Sequence, residues 1–239
     1  MTRPQWRTDI LMSDAGSHMR RVSLDCDVIV VGGGPAGSTA AARLARAGRS
    51  VMLFERDQFP RFHIGESLLA SVNDVLGAIG ADDLIRQAGF PHKWGATFLS
   101  ADGLIERFAD FAAAPDVRAP QTWQVPRATF DDLLLRHAGA CGAIVRQRHR
   151  VLDVSFDDEG VTASVQGEAE RPRPVRGRAI IDASGRGALL SRKFGLRIDE
   201  PRLANVAVFS HYSVVPRQQG RRAGDIRIVA RERISDGSG

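Results

Sequence analysis

The chain has 239 residues, of which 43% are hydrophobic and 26% charged, so it can fill the core of a folded domain. It carries 33 basic and 28 acidic side chains for a formal charge of +5, and the last 39 residues contribute four of those five charges. The excess does not follow the body of the chain as a stripe, so we expect no nucleic-acid partner. No apolar run approaches the roughly 20 residues of a membrane-spanning helix, and we expect no membrane partner.

The N-terminal segment and the cysteines indicate the cellular location of the protein. Residues 1–26 are polar and lack the apolar stretch of a secretory signal, so we interpret them as a loose leader. Cys26 and Cys141 have neither metal-ligand nor redox spacing, which is typical of a cytoplasmic protein and predicts no metal site. His137 and Cys141 stand four residues apart, but two ligands do not make a zinc site.

A strand–helix–strand unit is predicted directly after this leader. Residues 27–31 form a β-branched apolar run without alternation, which is typical of a strand buried on both faces of a parallel sheet. Residues 36–47 are rich in helix formers and are followed by Gly48, a plausible helix stop. Residues 51–54 form a second short apolar run. This pattern predicts a right-handed βαβ unit and a Rossmann-like α/β fold.

The turn between that strand and helix, Gly32–Gly37, fits the G-x-G-x-x-G pattern of dinucleotide-binding folds. Gly32 allows the tight turn, and Gly34 removes the side chain where a pyrophosphate must approach. Gly37 lets the helix pack closely against the strand. The pattern alone is weak, but here it follows a strand and opens a helix, as the fold requires.

Pro35 and Ala36 open the helix, whose free N–H groups and positive dipole end favour phosphates. Glu55 ends the second strand about 20 residues after the glycines, where it would accept hydrogen bonds from a ribose. The whole unit therefore predicts a dinucleotide site, although glycine spacing does not distinguish FAD from NAD.

The rest of the chain shows further helix and strand patterns. Ser67 is expected to cap a helix that runs to about Ile79 with its apolar side chains on one face. Asp102-Gly103 is a turn signal between two short strands within residues 94–108. The remaining predicted elements are a helix at 130–137, a hairpin of 151–156 with 161–165, and strands at 178–181, 203–214 and 225–230.

Other polar groups are weaker candidates for chemistry. Ser184 lacks the G-x-S-x-G pattern of a nucleophile elbow. His63 and Glu66 stand three residues apart in a loop, which is poor spacing for an acid–base pair. The arginines between positions 171 and 178 surround two prolines and are interpreted as a solvated connector.

Four ordered stretches of the sequence carry a family resemblance. They are Asp27–Gly37 with Glu55-Arg56, Phe59–Leu69, Gln124–Asp131 and Ile181–Arg186. On these stretches the chain resembles the superfamily of flavin-dependent monooxygenases and halogenases, and most closely the flavin-dependent halogenases. The resemblance implies a Rossmann-like FAD-binding domain of the GR2 type, the beginning of a β-rich substrate domain, and FAD as the cofactor.

The resemblance also implies roles for individual residues. In the family the first stretch binds the ADP half of FAD, which assigns Glu55 and Arg56 to the cofactor together with the glycine turn. The loop at 59–67 passes beside the flavin, and the arginine matching Arg127 approaches the cofactor. The stretch around Asp182 is the second contact at a strand end.

Lys93 is the candidate catalytic residue. Only Lys93 and Lys193 are lysines among the 33 basic side chains. An ammonium can donate to a reactive oxygen, lose its proton when desolvated, or form a nitrogen–halogen bond, which a guanidinium does poorly. In flavin-dependent halogenases the lysine before such a glycine-containing strand holds, or is chlorinated by, hypohalous acid, and Lys93 matches it. A solvated surface lysine is the alternative.

The implied function is an oxidoreductase that uses reduced flavin, oxygen and halide to halogenate an electron-rich aromatic substrate, free or carrier-bound. A separate flavin reductase would supply the reduced flavin. Two alternatives stay open: a hydroxylating monooxygenase or reductase of the same superfamily, and a non-catalytic FAD-binding remnant.

We expect three parts along the chain: the leader 1–26, an FAD-binding domain at 27–200 with 94–120 partly on the substrate side, and the start of the substrate-domain sheet at 201–239. The family's Trp-x-Trp-x-Ile-Pro stretch and a later Gly-Asp segment are missing, and the resemblance ends near Arg231. We therefore expect a truncated chain that retains FAD weakly and tends to aggregate.

Overall fold

The computed structural model describes residues 23–113, 119–203, 206–215 and 218–230. Its α-helices are α1 (Pro35–Arg46), α2 (Val72–Ile79), α3 (Asp82–Gln87), α4 (Arg127–Ala140) and α5 (Leu189–Lys193). Its strands are β1 (Cys26–Val31), β2 (Val51–Phe54), β3 (His92–Lys93), β4 (Gly95–Leu99), β5 (Glu106–Asp110), β6 (Thr122–Trp123), β7 (Ile144–Arg146), β8 (His149–Asp157), β9 (Gly160–Gly167), β10 (Arg173–Asp182) and β11 (Ile226–Val229).

Six strands form the main sheet in the order β7-β2-β1-β10-β9-β8. The first four run parallel, whereas β10, β9 and β8 pair antiparallel. In β1, Ile29 and Val30 point to opposite faces of the sheet and both are fully buried, which explains the unalternating apolar run. The predicted βαβ unit and the mixed α/β architecture are confirmed.

Two apolar clusters lie on the two faces of this sheet. Helices α1 to α4 cover one face, where Val30 and Leu53 pack against Phe130 and Leu134 of α4. The other cluster joins alternate residues of β1 to side chains of β8, β9 and β10. Burial on both faces fixes the register of the central strands, and with it the position of the glycine turn at the carboxyl end of β1.

Two smaller sheets lie outside the main one. β4 pairs antiparallel with β5 and parallel with β11, which brings residues 226–229 beside residues 96–99. β3 pairs antiparallel with β6 and places Lys93 opposite Thr122. The turn at Asp102-Gly103 joins β4 to β5, as the sequence predicts, with Gly103 at a φ of +72°.

Three sequence expectations are wrong within the described residues. The helix predicted from Ser67 begins only at Val72, because Ser67 pairs with Gln124 in an isolated β-bridge and its hydroxyl accepts a hydrogen bond from Lys93. Residues 206–214, within the strand predicted at 203–214, form no strand among the described residues. The arginine-rich stretch at 171–178 is not a connector. The strand predicted at 178–181 is confirmed but begins at Arg173, so most of that stretch belongs to β10.

The helix at 130–137 and the hairpin of 151–156 with 161–165 are confirmed, each somewhat longer than predicted. Among the described residues, none of the helices combines the length and hydropathy that crossing a membrane requires.

Candidate functional site

A cleft of about 700 Å³ opens at the carboxyl ends of β1 and β2. Its walls are the glycine turn, residues 54–57 at the end of β2, the loop at 61–63, Arg127 at the start of α4, the start of β8, and the segment 183–189 after β10. Carboxyl ends of parallel strands are the usual binding edge of α/β sheets, and the volume suits a large organic ligand.

The three glycines of the pattern have different surroundings. A side chain on Gly32 would collide with the Ala183 carbonyl, and one on Gly37 would collide with the Gly32 carbonyl. Gly32 also has a φ of +102°, which favours glycine. A Cβ on Gly34 would meet only Arg61 Nη2, at 3.5 Å. The first and third glycines therefore serve the fold, whereas Gly34 leaves its space free on the cleft side.

Helix α1 begins at this turn with its N-terminal amides directed at the cleft. Pro35 occupies the first turn, and no side chain among the described residues caps the helix. Pro35 and Ala36 both line the cleft. An uncapped helix N-terminus next to a glycine without a side chain is a ready anion site, and this geometry fits the pyrophosphate of a dinucleotide.

Glu55 lies in the cleft wall with only 4% of its surface exposed. Its Oε2 accepts a hydrogen bond from the Gly33 N–H at 2.5 Å, and its Oε1 accepts one from the Asp57 N–H at 2.8 Å. The carboxylate therefore holds the glycine turn in place. Each oxygen has a second lone pair, which leaves the capacity to accept a ribose hydroxyl as the sequence predicts.

Arg127 and Asp131 form the most buried charged pair at the cleft. Arg127 donates from Nε to Asp131 Oδ1 at 2.7 Å and from Nη2 to Oδ2 at 3.0 Å, and Asp131 is fully buried. The remaining Nη1 of Arg127 donates to the carbonyls of Ile64 and Gly65, at 2.9 and 3.3 Å. Arg127 thereby ties the loop at 59–67 to α4.

Arg61 is a second arginine in the cleft wall, and it contacts the same carboxylate, Asp131. Its Nη1 lies 3.4 Å from Asp131 Oδ2, and its guanidinium sits over the Phe59 ring at 4.5 Å. Its Nε is buried and has no hydrogen-bond partner among the described residues, although Asp57 Oδ2 lies 3.7 Å away. Its Nη2 lies near Gly34, and a fixed guanidinium there is suited to an anionic ligand.

Asp182 lies just behind the cleft. Its Oδ1 accepts the Ser184 N–H at 3.0 Å and its Oδ2 accepts the Leu190 N–H at 2.8 Å. Burial works against the ionised form, but these hydrogen bonds outweigh it and lower the pKa of Asp182. The carboxylate thus orders the segment 183–189, which lines the cleft.

Lys93 is not among the residues that line the cleft, and its amine contacts the end of the 59–67 loop. It is only 2% exposed, and its Nζ donates to Ser67 Oγ at 2.6 Å and to the Leu68 carbonyl at 3.0 Å. The ammonium also sits 4.9 Å from the Phe111 ring centroid. Burial lowers the pKa of Lys93, and the negative charge of Asp225 opposes that effect.

The cleft therefore gathers many of the residues that the sequence singles out. Gly32, Gly34, Pro35, Ala36, Glu55, Arg56 and Arg127 all line it. Gly37 and Asp182 support its walls, and Lys93 is connected to it through the loop.

Sequence reasoning missed two residues of this site, Arg61 and Asp131. Both lie inside stretches that carried the family resemblance. The spacing of Arg127 and Asp131, one helical turn apart, is the signal that predicts their pairing.

Comparison with known proteins agrees with this geometry. The family model of the FAD binding domain matches residues 25–225. A 1H-pyrrole-2-carbonyl-[peptidyl-carrier protein] chlorinase of Pseudomonas fluorescens is 36% identical over 217 residues, which are 84% of this chain and 48% of that protein. A flavin-dependent halogenase of Armillaria mellea is 37% identical over 222 residues, 89% of this chain and 42% of that protein.

Among solved structures, the myxobacterial chondrochloren halogenase, described as a variant of the FAD-dependent halogenases, superposes with a TM-score of 0.69 at 34% identity. The match covers 86% of this chain and 47% of that one. The chain spans about half the length of the curated relatives it matches.

Proposed function

Because this chain belongs to the FAD-binding domain family, with FAD as its cofactor, we propose that it is a halogenase-type oxidoreductase acting on an electron-rich aromatic substrate. The observation that carries the proposal is the buried Lys93, joined through Ser67 and Leu68 to the loop that walls the cleft. The Lys93 amine is thus separated from the proposed dinucleotide site by a single loop.

Different residues of the cleft would bind different parts of FAD. Gly34 and the first turn of α1 would receive the pyrophosphate, and Glu55 would accept the adenosine ribose. Arg56 and Arg127 line the cleft as further donors, and Asp182 orders its far wall. Bound FAD in its reduced form would supply the activation of oxygen that oxidises a halide.

Lys93 would act after that oxidation. Its ammonium would donate a hydrogen bond to hypohalous acid, and the aromatic ring would take the halogen as the oxygen–halogen bond breaks and water leaves with the ring proton. In a second route its neutral amine would take the halogen from hypohalous acid with loss of water, and the ring would then take the halogen from nitrogen and return a proton to the amine. Burial lowers the pKa of Lys93, which makes the neutral amine of the second route easier to reach. Lys93 already uses two donors on Ser67 and Leu68, which fix the direction of its nitrogen.

The partners follow from this chemistry. The Pseudomonas relative acts on a pyrrole held by a peptidyl-carrier protein, which supports a small aromatic substrate, free or carrier-bound, for this chain. We infer a separate flavin reductase as the source of reduced flavin. Both cysteines are free thiols, which supports a reducing cytoplasmic location.

The test is a halogenation assay of the purified chain with FAD, a flavin reductase, chloride or bromide, and an electron-rich aromatic compound. Mass spectrometry should show a product with the isotope pattern of the added halogen. Lys93→Ala should abolish it while FAD binding persists, and Lys193→Arg, the matched control at the other lysine, should retain it.

The other outcomes are equally informative. A product that gains oxygen instead of halogen, whether or not Lys93 is present, would identify a hydroxylating monooxygenase. A chain that binds FAD and turns nothing over would be a non-catalytic FAD-binding protein.

A further inference from the structure

Lys93 carries a buried charge without a direct carboxylate partner. Two of its donors go to neutral oxygens of Ser67 and Leu68, and its third side faces the Phe111 ring. Among the described residues no carboxylate lies within 4.0 Å of its ammonium, whereas Lys193 contacts Asp153 at 2.7 Å. A buried ammonium is costly unless an opposite charge compensates it or the amine loses its proton, so a carboxylate further away would favour the charged form.

Asp225 is the carboxylate placed to compensate that charge. It precedes β11, and its side chain is only 1% exposed. Its Oδ1 accepts the N–H groups of Trp94 and Gly95, at 2.6 and 3.1 Å. Its Oδ2 is buried and accepts no hydrogen bond within the described ranges. The buried carboxylate thus holds the backbone just after Lys93.

We propose that Asp225 is the positioning residue of Lys93: it fixes the backbone that follows the lysine and stabilises the charged form of its amine. The proposal deepens the function given above and rests on it, because Lys93 is the residue proposed to carry the halogen. By setting how readily Lys93 loses its proton, Asp225 would choose between the ammonium and the neutral amine at a given pH.

Two arginines are the other charged groups near this pair. Arg222 Nε lies 3.8 Å from Asp225 Oδ2, but Arg222 also donates to Thr97 and approaches Glu106 at 3.8 Å. Arg221 stacks over the Trp94 ring at 4.2 Å and lies 3.6 Å from Asp110. The negative charge of Asp225 raises the pKa of Lys93 against the effect of burial.

The chain has only two lysines, which allows a direct titration. Lys193→Arg leaves Lys93 as the sole lysine, and ¹³C at its Cε gives a single NMR signal whose shift follows protonation. In that background, Asp225→Asn removes the charge but keeps an oxygen that can accept the Trp94 and Gly95 N–H groups. We expect the titration midpoint of Lys93 to fall, while the Trp94 and Gly95 amides stay visible and protected from hydrogen exchange.

Asp102→Asn is the matched control, since Asp102 lies in the turn at the opposite end of the β4–β5 hairpin. It should leave the Lys93 midpoint unchanged. An Asp225→Asn chain with intact amide signals and an unchanged Lys93 midpoint would overturn the proposal. If that variant does not fold, Arg222→Met replaces it: freeing Asp225 from Arg222 should raise the midpoint, and an unchanged midpoint overturns the proposal.

The titration needs neither FAD nor halide, so its result does not depend on whether the proposed function is correct. A midpoint that follows Asp225 in a chain that never halogenates would reject the halogenase and keep the positioning role. A chain that halogenates, but whose Lys93 midpoint is unchanged in Asp225→Asn, would keep the halogenase and reject the positioning role.

Discussion

Arg127 and Asp131 lie one helical turn apart at the start of α4 and form a two-pronged ion pair, with distances of 2.7 and 3.0 Å. The carboxylate is fully buried and also faces Arg61 at 3.4 Å. Because both arginines line the cleft, one buried carboxylate fixes two cations at the site where we propose that the cofactor binds. Arg127 in turn donates to the loop carbonyls at 64 and 65, so the same carboxylate also steadies the cleft wall.

Replacing Asp131 by Ala should therefore weaken both the fold and the binding of FAD. Removing one partner of a buried pair leaves the arginines uncompensated, and we expect the free energy of unfolding to fall by about 3 kcal/mol. Urea denaturation measures this loss, and quenching of flavin fluorescence measures affinity. The control is Asp132→Ala, which removes an ion pair with the exposed Arg136 and should cost less than about 1 kcal/mol. Equal losses in the two variants would contradict the role of Asp131.

The glycine turn allows a cleaner separation of fold from binding. Gly34→Ala adds a methyl group that meets only Arg61 Nη2 at 3.5 Å, so the unfolding free energy should change by less than about 0.5 kcal/mol. FAD affinity should fall at least about tenfold, because the methyl occupies the approach of the pyrophosphate. Gly37→Ala is the counterpart: its methyl collides with the Gly32 carbonyl, so this variant should lose stability. A Gly34→Ala chain that binds FAD like the parent would show that the pyrophosphate lies elsewhere.

The sequence was sufficient for the part of the fold that follows local rules. The unalternating run of β1, the glycine turn and Glu55 predict a βαβ unit, because strand burial, turn chemistry and helix propensity all agree there. The same agreement placed most of the predicted cofactor residues on one cleft.

The errors came where tertiary contacts override a local signal. Ser67 has the composition of a helix cap, yet it pairs with Gln124 and Lys93, which lie far away in sequence. The stretch at 206–214 alternates like a strand, yet Val206 and Val208 are at least 90% exposed. The role of Asp225 could not be predicted from the residues around it, because its two hydrogen-bond partners are about 130 residues away in sequence.

The two thiols should differ sharply in reactivity. Cys26 in β1 is buried, and burial raises the pKa of its thiol from 9.0 to about 11. At pH 8 it should stay protonated and unreactive in the folded chain, whereas the partly exposed Cys141 should react with Ellman's reagent. Cys141→Ser should abolish the fast reaction, and Cys26→Ser should retain it.

The pH dependence of stability follows from the same thiol. A folded-state pKa above the unfolded value stabilises the fold at low pH, and that contribution disappears as the pH rises from about 9 to about 11. Cys26→Ser should flatten this part of the stability profile. Rapid labelling of Cys26 in the native chain at pH 8 would contradict its burial.

Acid should destabilise the fold at the β8 edge of the main sheet, where Asp157 pairs with Arg176. Arg176 of β10 donates to both carboxylate oxygens of Asp157 across the β8–β9 hairpin, at 2.6 and 2.8 Å. These hydrogen bonds lower the pKa of Asp157 from 3.8 to about 2. A depressed pKa stabilises the fold above the unfolded value, so this contribution should be lost as the pH falls from about 4 to about 2.

Urea midpoints measured at pH 6, 4, 3 and 2 should show this loss in the parent chain. Asp157→Asn should lower the midpoint at pH 6 and weaken its fall below pH 4, because its amide cannot become protonated there. Asp158→Asn is the matched control from the same turn, since Asp158 makes no ion pair or side-chain hydrogen bond among the residues described, and it should keep the parent profile. If both variants kept that profile, the Arg176 contact would contribute nothing to stability in solution.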